Sequence, residues 1–255
     1  MTKKETTAVA TRDKVMTPAQ VAELDKLGSW GAEDTSAADL IIPKILIMQG
    51  QSDFVNDDKI QARQGEIRDS LEGKLLAKIG ESIRFIPFFF YNTWVEFTEK
   101  EKKFVFSGMH VRDRTNEDLE WEWVDNGVNK KRAKAINCYV LLENELEDGV
   151  YLPYLLSFRN TSFKEGKKLV TLVEKLKQFK LSPAHRVFEL STTKVTNEKG
   201  TWFGPEVTQV AETSEGHLFQ AYQWYLKVAK GGVKVDNSDL EKEAEAATQA
   251  PSTEF

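Results

Sequence analysis

The stretch that decides the fold is Arg84-Phe-Ile-Pro-Phe-Phe-Phe-Tyr-Asn-Thr-Trp-Val-Glu-Phe97, followed by Thr98-Glu-Lys-Glu-Lys-Lys103 and then Phe104-Val-Phe106. Nine of these 23 residues are aromatic. Aromatic and β-branched runs on either side of a charged segment predict a β-hairpin, with arms from Arg84 to Phe97 and from Phe104 onward and a solvated turn over 98–103. Because side chains alternate across a strand, Ile86, Phe88, Phe90 and Trp94 are expected on one face of the first arm, and Phe85, Phe89, Tyr91, Val95 and Phe97 on the other. Both faces are apolar. Such a strand is either buried on both sides, or buried on one side while offering rings to a flat ligand on the other. Pro87 places a bend or a sheet edge early in the arm.

Outward from this hairpin the chain reads as mostly β. Leu40 to Met48 is an apolar run interrupted by Pro43, which suits an edge or bent strand. Gln49 to Asp58 reads as a loop, and short elements around Gln64–Arg68 and Leu71–Ile79 are punctuated by Gly65, Gly73 and Gly80. Beyond the hairpin, Glu120-Trp-Glu-Trp-Val124 spaces two tryptophans to share a strand face, and Asp125-Asn126-Gly127 is a turn signal. The basic segment Asn129-Lys-Lys-Arg-Ala-Lys134 enters an apolar strand, Ala135 to Leu142. An acidic loop, Glu143 to Gly149, leads to a second arm from Val150 to Phe158. Residues 161–180 have the spacing of a helix, with Leu169, Leu172, Val173, Leu176 and Phe179 on one stripe and Gly166 weakening its first turn. From Arg159 to Lys180 there are seven basic residues against two acids. Pro183 ends that helix. A third hairpin, Arg186–Val195 with Thr201–Val210, carries a bend at Gly204-Pro205, and a final helix spans about Ser214 to Lys230. The expected organisation is a disordered terminus (1–16), a short helix and loop (17–39), a single OB-like β-rich domain (40–230) and a disordered acidic tail (231–255).

Composition narrows the function. No run of eighteen apolar residues and no signal-peptide pattern occurs, so a cytoplasmic protein is expected. The lone cysteine, Cys138, reads as a buried small side chain. Net charge is −5, yet residues 231–255 hold six acids and two lysines, which leaves the rest of the chain at −1. The acidity is concentrated in the tail.

Catalytic constellations are missing. His110, His185 and His217 lie far apart with no metal-ligand spacing, and phosphate loops, dinucleotide fingerprints and nucleophile elbows are absent. Neither catalytic nor metal-binding residues are assigned, and no cofactor is expected. Asp69, Glu120, Glu122 and Asp125 are the acids a metal-dependent nuclease would draw on. What remains is rings on strands beside basic segments, the two things that hold single-stranded nucleic acid without reading its sequence. The candidate stacking rings are Trp94, Trp121, Trp123, Tyr151 and Tyr154. The candidate phosphate contacts are Arg112, Arg114, Lys130, Lys131, Arg132, Lys134 and Arg159.

The chain closes on Asp236, Asp239, Glu241, Glu243 and Glu245, an uncharged stretch from Ala246 to Thr253, and Glu254-Phe255. With its strand-rich body this resembles the single-stranded DNA-binding proteins of tailed bacteriophages, and more loosely the bacterial ones, where an OB-fold body precedes a disordered acidic tail ending in phenylalanine. The resemblance implies binding of single-stranded DNA in phage replication or recombination, inside the host cytoplasm. It also implies that Glu254 and Phe255 dock replication or recombination enzymes. The alternatives are a non-enzymatic structural or protein-interaction module, such as a virion component, and a metal-dependent nuclease.

Overall fold

The computed structural model describes residues 40–149, 152–198 and 200–229, together with the backbone of Lys234–Val235. The expectations for 1–39, for Tyr151 and for the tail with Glu254 and Phe255 lie outside these residues. The fold is mostly β with a few helices. Its spine is an antiparallel pair, β5 (Ser82–Lys100) and β8 (Val128–Leu142), which share a register from Phe85↔Leu142 to Thr98↔Lys130.

Each spine strand is longer than the strands flanking it. On the free edge of β5, β10 (Arg186–Asn197) pairs with Ser82–Phe85 and β6 (Lys103–Val111) pairs with Thr93–Lys100. On the free edge of β8, β9 (Tyr154–Arg159) pairs with Ala135–Val140 and β7 (Glu122–Asp125) with Val128–Lys131. β11 (Gly200–Glu212) extends the sheet beyond β10. The smaller sheet is β2 (Ile45–Ile47), β3 (Ile67–Asp69) and β4 (Leu75–Ala77), with β1 (Ile41–Ile42) set off at Pro43 and paired in parallel with β12 (Lys234–Val235). The sheets are open but curl toward each other. A parallel bridge joins Lys44 to Leu155, the Leu155 N–H donates to the Pro43 carbonyl, and Gln49 links β2 to β11 through Phe203. The arrangement is consistent with an OB-like barrel.

Two cores explain why both faces of the aromatic stretch are apolar. Inside the curl, Phe85 of β5, Ile136, Cys138 and Val140 of β8, and Phe188 and Leu190 of β10 meet Leu169 and Val173 of α3 (Phe163–Gln178). On the outer face Ile86, Phe88, Tyr139 and Leu141 are covered by Ala221 and Trp224 of α4 (Glu215–Ala229) and by Leu146 of α2 (Glu143–Glu147). The first half of β5, up to about Tyr91, is therefore buried on both sides. Its second half leaves this sandwich as a four-stranded arm, β6-β5-β8-β7.

Several expectations are corrected. The hairpin turn is only Glu101-Lys102, both at positive φ (51° and 65°), so the charged run 98–103 is mostly strand. Strict alternation fails at a bulge between Pro87 and Phe89, which puts Phe88 and Phe89 on the same face as Ile86 and Tyr91. The Gln49–Asp58 loop contains a helical turn, α1 (Asp53–Asn56), and the acidic loop 143–149 is largely α2. Phe179 lies past the end of α3, 73% exposed, rather than on its buried stripe. Gly204-Pro205 is in regular register, and the irregularity of this hairpin falls at Val187/Phe188.

Gly166 has a packing role that helix propensity alone does not reveal. A Cβ there would lie 2.7 Å from Cβ of Phe158 and 3.0 Å from its Cγ, so the missing side chain lets α3 press onto β9. Glycine to alanine inside a helix ordinarily gains up to about 1 kcal/mol. Here we expect Gly166→Ala to destabilise by roughly 1–3 kcal/mol through overpacking. Urea denaturation checks the sign; a raised midpoint would contradict the contact.

Candidate nucleic-acid interface

The arm presents one face on which cations and rings alternate. Lys134 pairs with Trp94 and Lys130 with Trp123 across the ladders, so Trp94, Trp123, Lys130, Arg132 and Lys134 project to the same side. The Arg132 guanidinium carbon lies 3.8 Å from the Trp123 ring centroid and 5.7 Å from that of Trp94. Arg112, just beyond β6, lies 5.9 Å from Trp94 and 6.0 Å from Phe163, the first residue of α3. Lys167, one turn along α3, sits 5.2 Å over Phe163, and Lys134 sits 5.2 Å over Trp94. The row therefore reads Trp123, Arg132, Trp94, Arg112, Phe163, Lys167, and it joins the arm to the opening of α3.

Local structure holds this row in place. Trp94 is only 1% exposed, and its indole N–H donates to the Asn116 carbonyl at 2.9 Å. The covering loop is tied by Asn116, whose amide donates to the Val111 carbonyl and accepts from the Asp113 N–H. The Asp113 carboxylate accepts from the Thr115 hydroxyl and N–H, which holds its pKa below the usual carboxylate value. Arg112 and Arg132 are each only about one-tenth exposed, with Glu117 at 3.6 Å and Glu96 at 3.7 Å. Both distances exceed those of a well-formed charge-assisted hydrogen bond. The Nε atoms of both arginines are buried and find no acceptor among the described residues. An unpaired buried donor is costly, so these guanidiniums are under-satisfied.

The other predicted residues divide by face and burial. Trp94 is sealed under its loop and cations and offers no face to a base, a correction to its reading as a stacking ring. Tyr154 is also buried, and its phenol donates to Glu145 Oε1 at 3.0 Å. Trp121 precedes β7, is 66% exposed and approaches Lys131 at 5.9 Å, whereas Trp123 is half-buried under Arg132. Because residues 131 and 132 point to opposite faces, the two tryptophans do not share one, contrary to their spacing. Lys131 also lies 4.3 Å over Phe104 and pairs with Glu122 at 2.9 Å, while Lys130 pairs with Asp125 at 2.6 Å. Arg114 is exposed in the covering loop, and Arg159 ends β9, one turn before Phe163.

Two acids considered for a nuclease are thus paired with lysines. A third, Asp69, is buried and accepts backbone N–H groups from Leu71, Glu72 and Lys74, which shapes the turn before β4. No group of three or more metal-ligating side chains occurs among the described residues. Cys138 is fully buried, and burial pushes its thiol pKa up. No helix among the described residues is long and apolar enough to cross a membrane.

The buried phenol predicts an alkaline response. Burial first, and then the Glu145 charge, raise the Tyr154 pKa above its ordinary 10.0, and the hydrogen bond to Glu145 raises that of Lys74 above 10.5. A raised folded pKa contributes stability that is complete below the unfolded value and is lost as pH climbs toward the folded one. Thermal melts from about pH 8 to 12 should therefore hold steady to about pH 10 and fall above it, with a shallower fall for Tyr154→Phe. An unchanged slope in that variant would contradict the assignment.

Comparison with known proteins adds one finding. A family model described as "Pam3 phage gp34-like protein" matches residues 6–234. No curated protein and no solved structure matches the chain.

Proposed function

The chain belongs to the Pam3 phage gp34-like family, and from that premise we propose that it binds single-stranded DNA without regard to sequence during phage replication or recombination, and performs no chemistry. The observation that carries this reading is the row of alternating cations and rings along one face of the arm. Under-satisfied guanidiniums of Arg112 and Arg132 are poised to donate to phosphate oxygens in place of the distant carboxylates of Glu117 and Glu96. Exposed Lys134 and Lys167 extend the phosphate track at the two ends of Trp94 and Phe163. Bases would stack on Trp123, on the ring face that Arg132 does not cover, and on exposed Trp121 across the arm beside Lys131, each stack contributing roughly 1–3 kcal/mol. On this reading Trp94 is the platform that fixes the cations. The site of action is the host cytoplasm, and Glu254 with Phe255 offers a docking end for replication or recombination enzymes.

A second reading, an interaction module of a virion or accessory complex, draws on the outer flank of α4, where Phe219, Tyr222 and Tyr225 are exposed. A mobility-shift titration with a labelled single-stranded oligonucleotide at low salt separates the two. A shifted, intact probe whose affinity declines with added salt is expected; an unshifted probe would favour the interaction module. Shortening of the probe on adding Mg²⁺ or Mn²⁺ would instead indicate a nuclease.

A further inference from the structure

A cleft of about 580 Å³ opens where β9, β2 and the β11 hairpin meet the base of the arm. It adjoins the row of rings and cations without including any of its residues, and its volume falls in the range of roughly 300 to 1,000 Å³ typical of small-ligand sites. Its lining is mixed, and its apolar and aromatic part includes Val95 and Met109 from the arm, Leu155 and Leu156 from β9 and half-buried Trp202 from β11. Its polar lining includes Asn137, buried and held on both sides. The amide donates to Thr93 Oγ1 at 2.9 Å and accepts from the Ser157 hydroxyl at 2.8 Å. That pairing leaves the amide one further N–H and one further lone pair, and leaves the Ser157 oxygen its acceptor capacity.

The cleft is preformed. Gln49 donates to the Phe203 carbonyl at 2.7 Å and accepts the Phe203 N–H at 3.0 Å, fastening the β11 wall to the end of β2. It is also continuous with the row. The single turn Asn160–Ser162 lines the cleft and runs directly into Phe163, the ring beneath Arg112 and Lys167. A strand that follows the row to Phe163 reaches the cleft by crossing that one turn.

We infer that this cleft takes one unstacked nucleobase of the bound strand, an assignment that rests on the single-stranded DNA reading. The apolar patch of Val95, Met109 and Leu156 and the Trp202 indole suit the two π faces of a base. A lining that both donates and accepts suits the base edge without selecting among bases, because amide and hydroxyl groups can serve either polarity. Arg159, which also lines the cleft, supplies a positive charge for the adjoining phosphate.

The test uses the full chain and an oligothymidylate carrying 5-iodouracil at single positions, irradiated after binding and mapped by peptide mass. Cross-links to Met109 or Trp202 are expected alongside those on the arm. Trp202→Ala should weaken oligonucleotide binding about tenfold, and Trp202→Phe should restore it. A shifted oligonucleotide whose cross-links map only to residues of the row, with none at Met109 or Trp202, would overturn the cleft assignment and leave single-stranded DNA binding standing. Absence of any shift would overturn both. Should Trp202→Ala unfold the protein, the cross-link map of the unaltered chain decides.

Discussion

Trp94→Ala should lower the stability of the protein by about 3–5 kcal/mol, the range for removing a large aromatic from a packed interior. The ring is sealed, and its loss would uncover three cations that it now holds at 5.2–5.9 Å. It would also leave the Asn116 carbonyl without its indole donor. Trp121→Ala, at an exposed ring, should change stability by no more than about 0.5 kcal/mol. Urea denaturation of the two variants side by side measures the difference. Similar midpoints would mean that Trp94 is not the keystone of the arm.

The largest effect on binding should come from reversing two cations that are exposed on the same face. In Lys134→Glu with Lys167→Glu, two attractive phosphate contacts become repulsive. At about 1 kcal/mol per contact of unit charges in water, the change approaches 4 kcal/mol before screening. Salt reduces this, and an affinity loss on the order of a hundredfold at low salt is expected. The slope of log affinity against log salt should also flatten by about 1.4, from two phosphates at roughly 0.7 each on a single strand. Neither lysine is in the core, so the melting curve should stay close to wild type. Equal reversals at Lys175 and Lys177, at the far end of α3, should have a much smaller effect.

The same residues show how much could be read from the chain alone. Aromatic and β-branched clustering was sufficient to find the spine strand, and Asn126-Gly127, both at positive φ, formed the predicted two-residue turn between β7 and β8. Helix α3 followed from the spacing of Leu169, Val173 and Leu176. Period-two reasoning broke at Phe88 because a bulge adds one residue to a single strand; Pro87 signalled a bend there but not which face Phe88 would take. The division of β5 into a doubly buried half and a projecting arm depends on where β10 ends and β6 begins along one edge. That is a tertiary fact.

The candidate site was legible in residue type more than in geometry. Arg112, Arg132, Lys134, Trp94 and Trp123 do come together, because the β5–β8 and β7–β8 registers set four of them on one face and the end of β6 brings Arg112 alongside. Trp94 was read as a stacking platform, yet the loop closing over it is recognisable only as the Asp113, Thr115 and Asn116 turn. Trp121 and Trp123 were expected to share a face, but β7 starts after Trp121 and frees it from the alternation. Phe163 and Lys167 escaped notice as site residues because the helix pattern accounts for them so readily. Their partner, Arg112, is about fifty positions away. Phe104 was visible as a strand residue, but its contact with Lys131 crosses the arm.

The central claim is that the arm's two accessible indoles, exposed Trp121 beside Lys131 and half-buried Trp123 at the head of the row, receive unpaired bases. The direct measurement is a titration of single-stranded oligonucleotide into the full chain at low salt, following tryptophan fluorescence, with the double variant Trp121→Ala, Trp123→Ala run in parallel. Saturable quenching of the wild type, much reduced in a variant that keeps its circular dichroism, is the predicted result. A wild type that shows no quenching, or a variant quenched to the same extent, would contradict it.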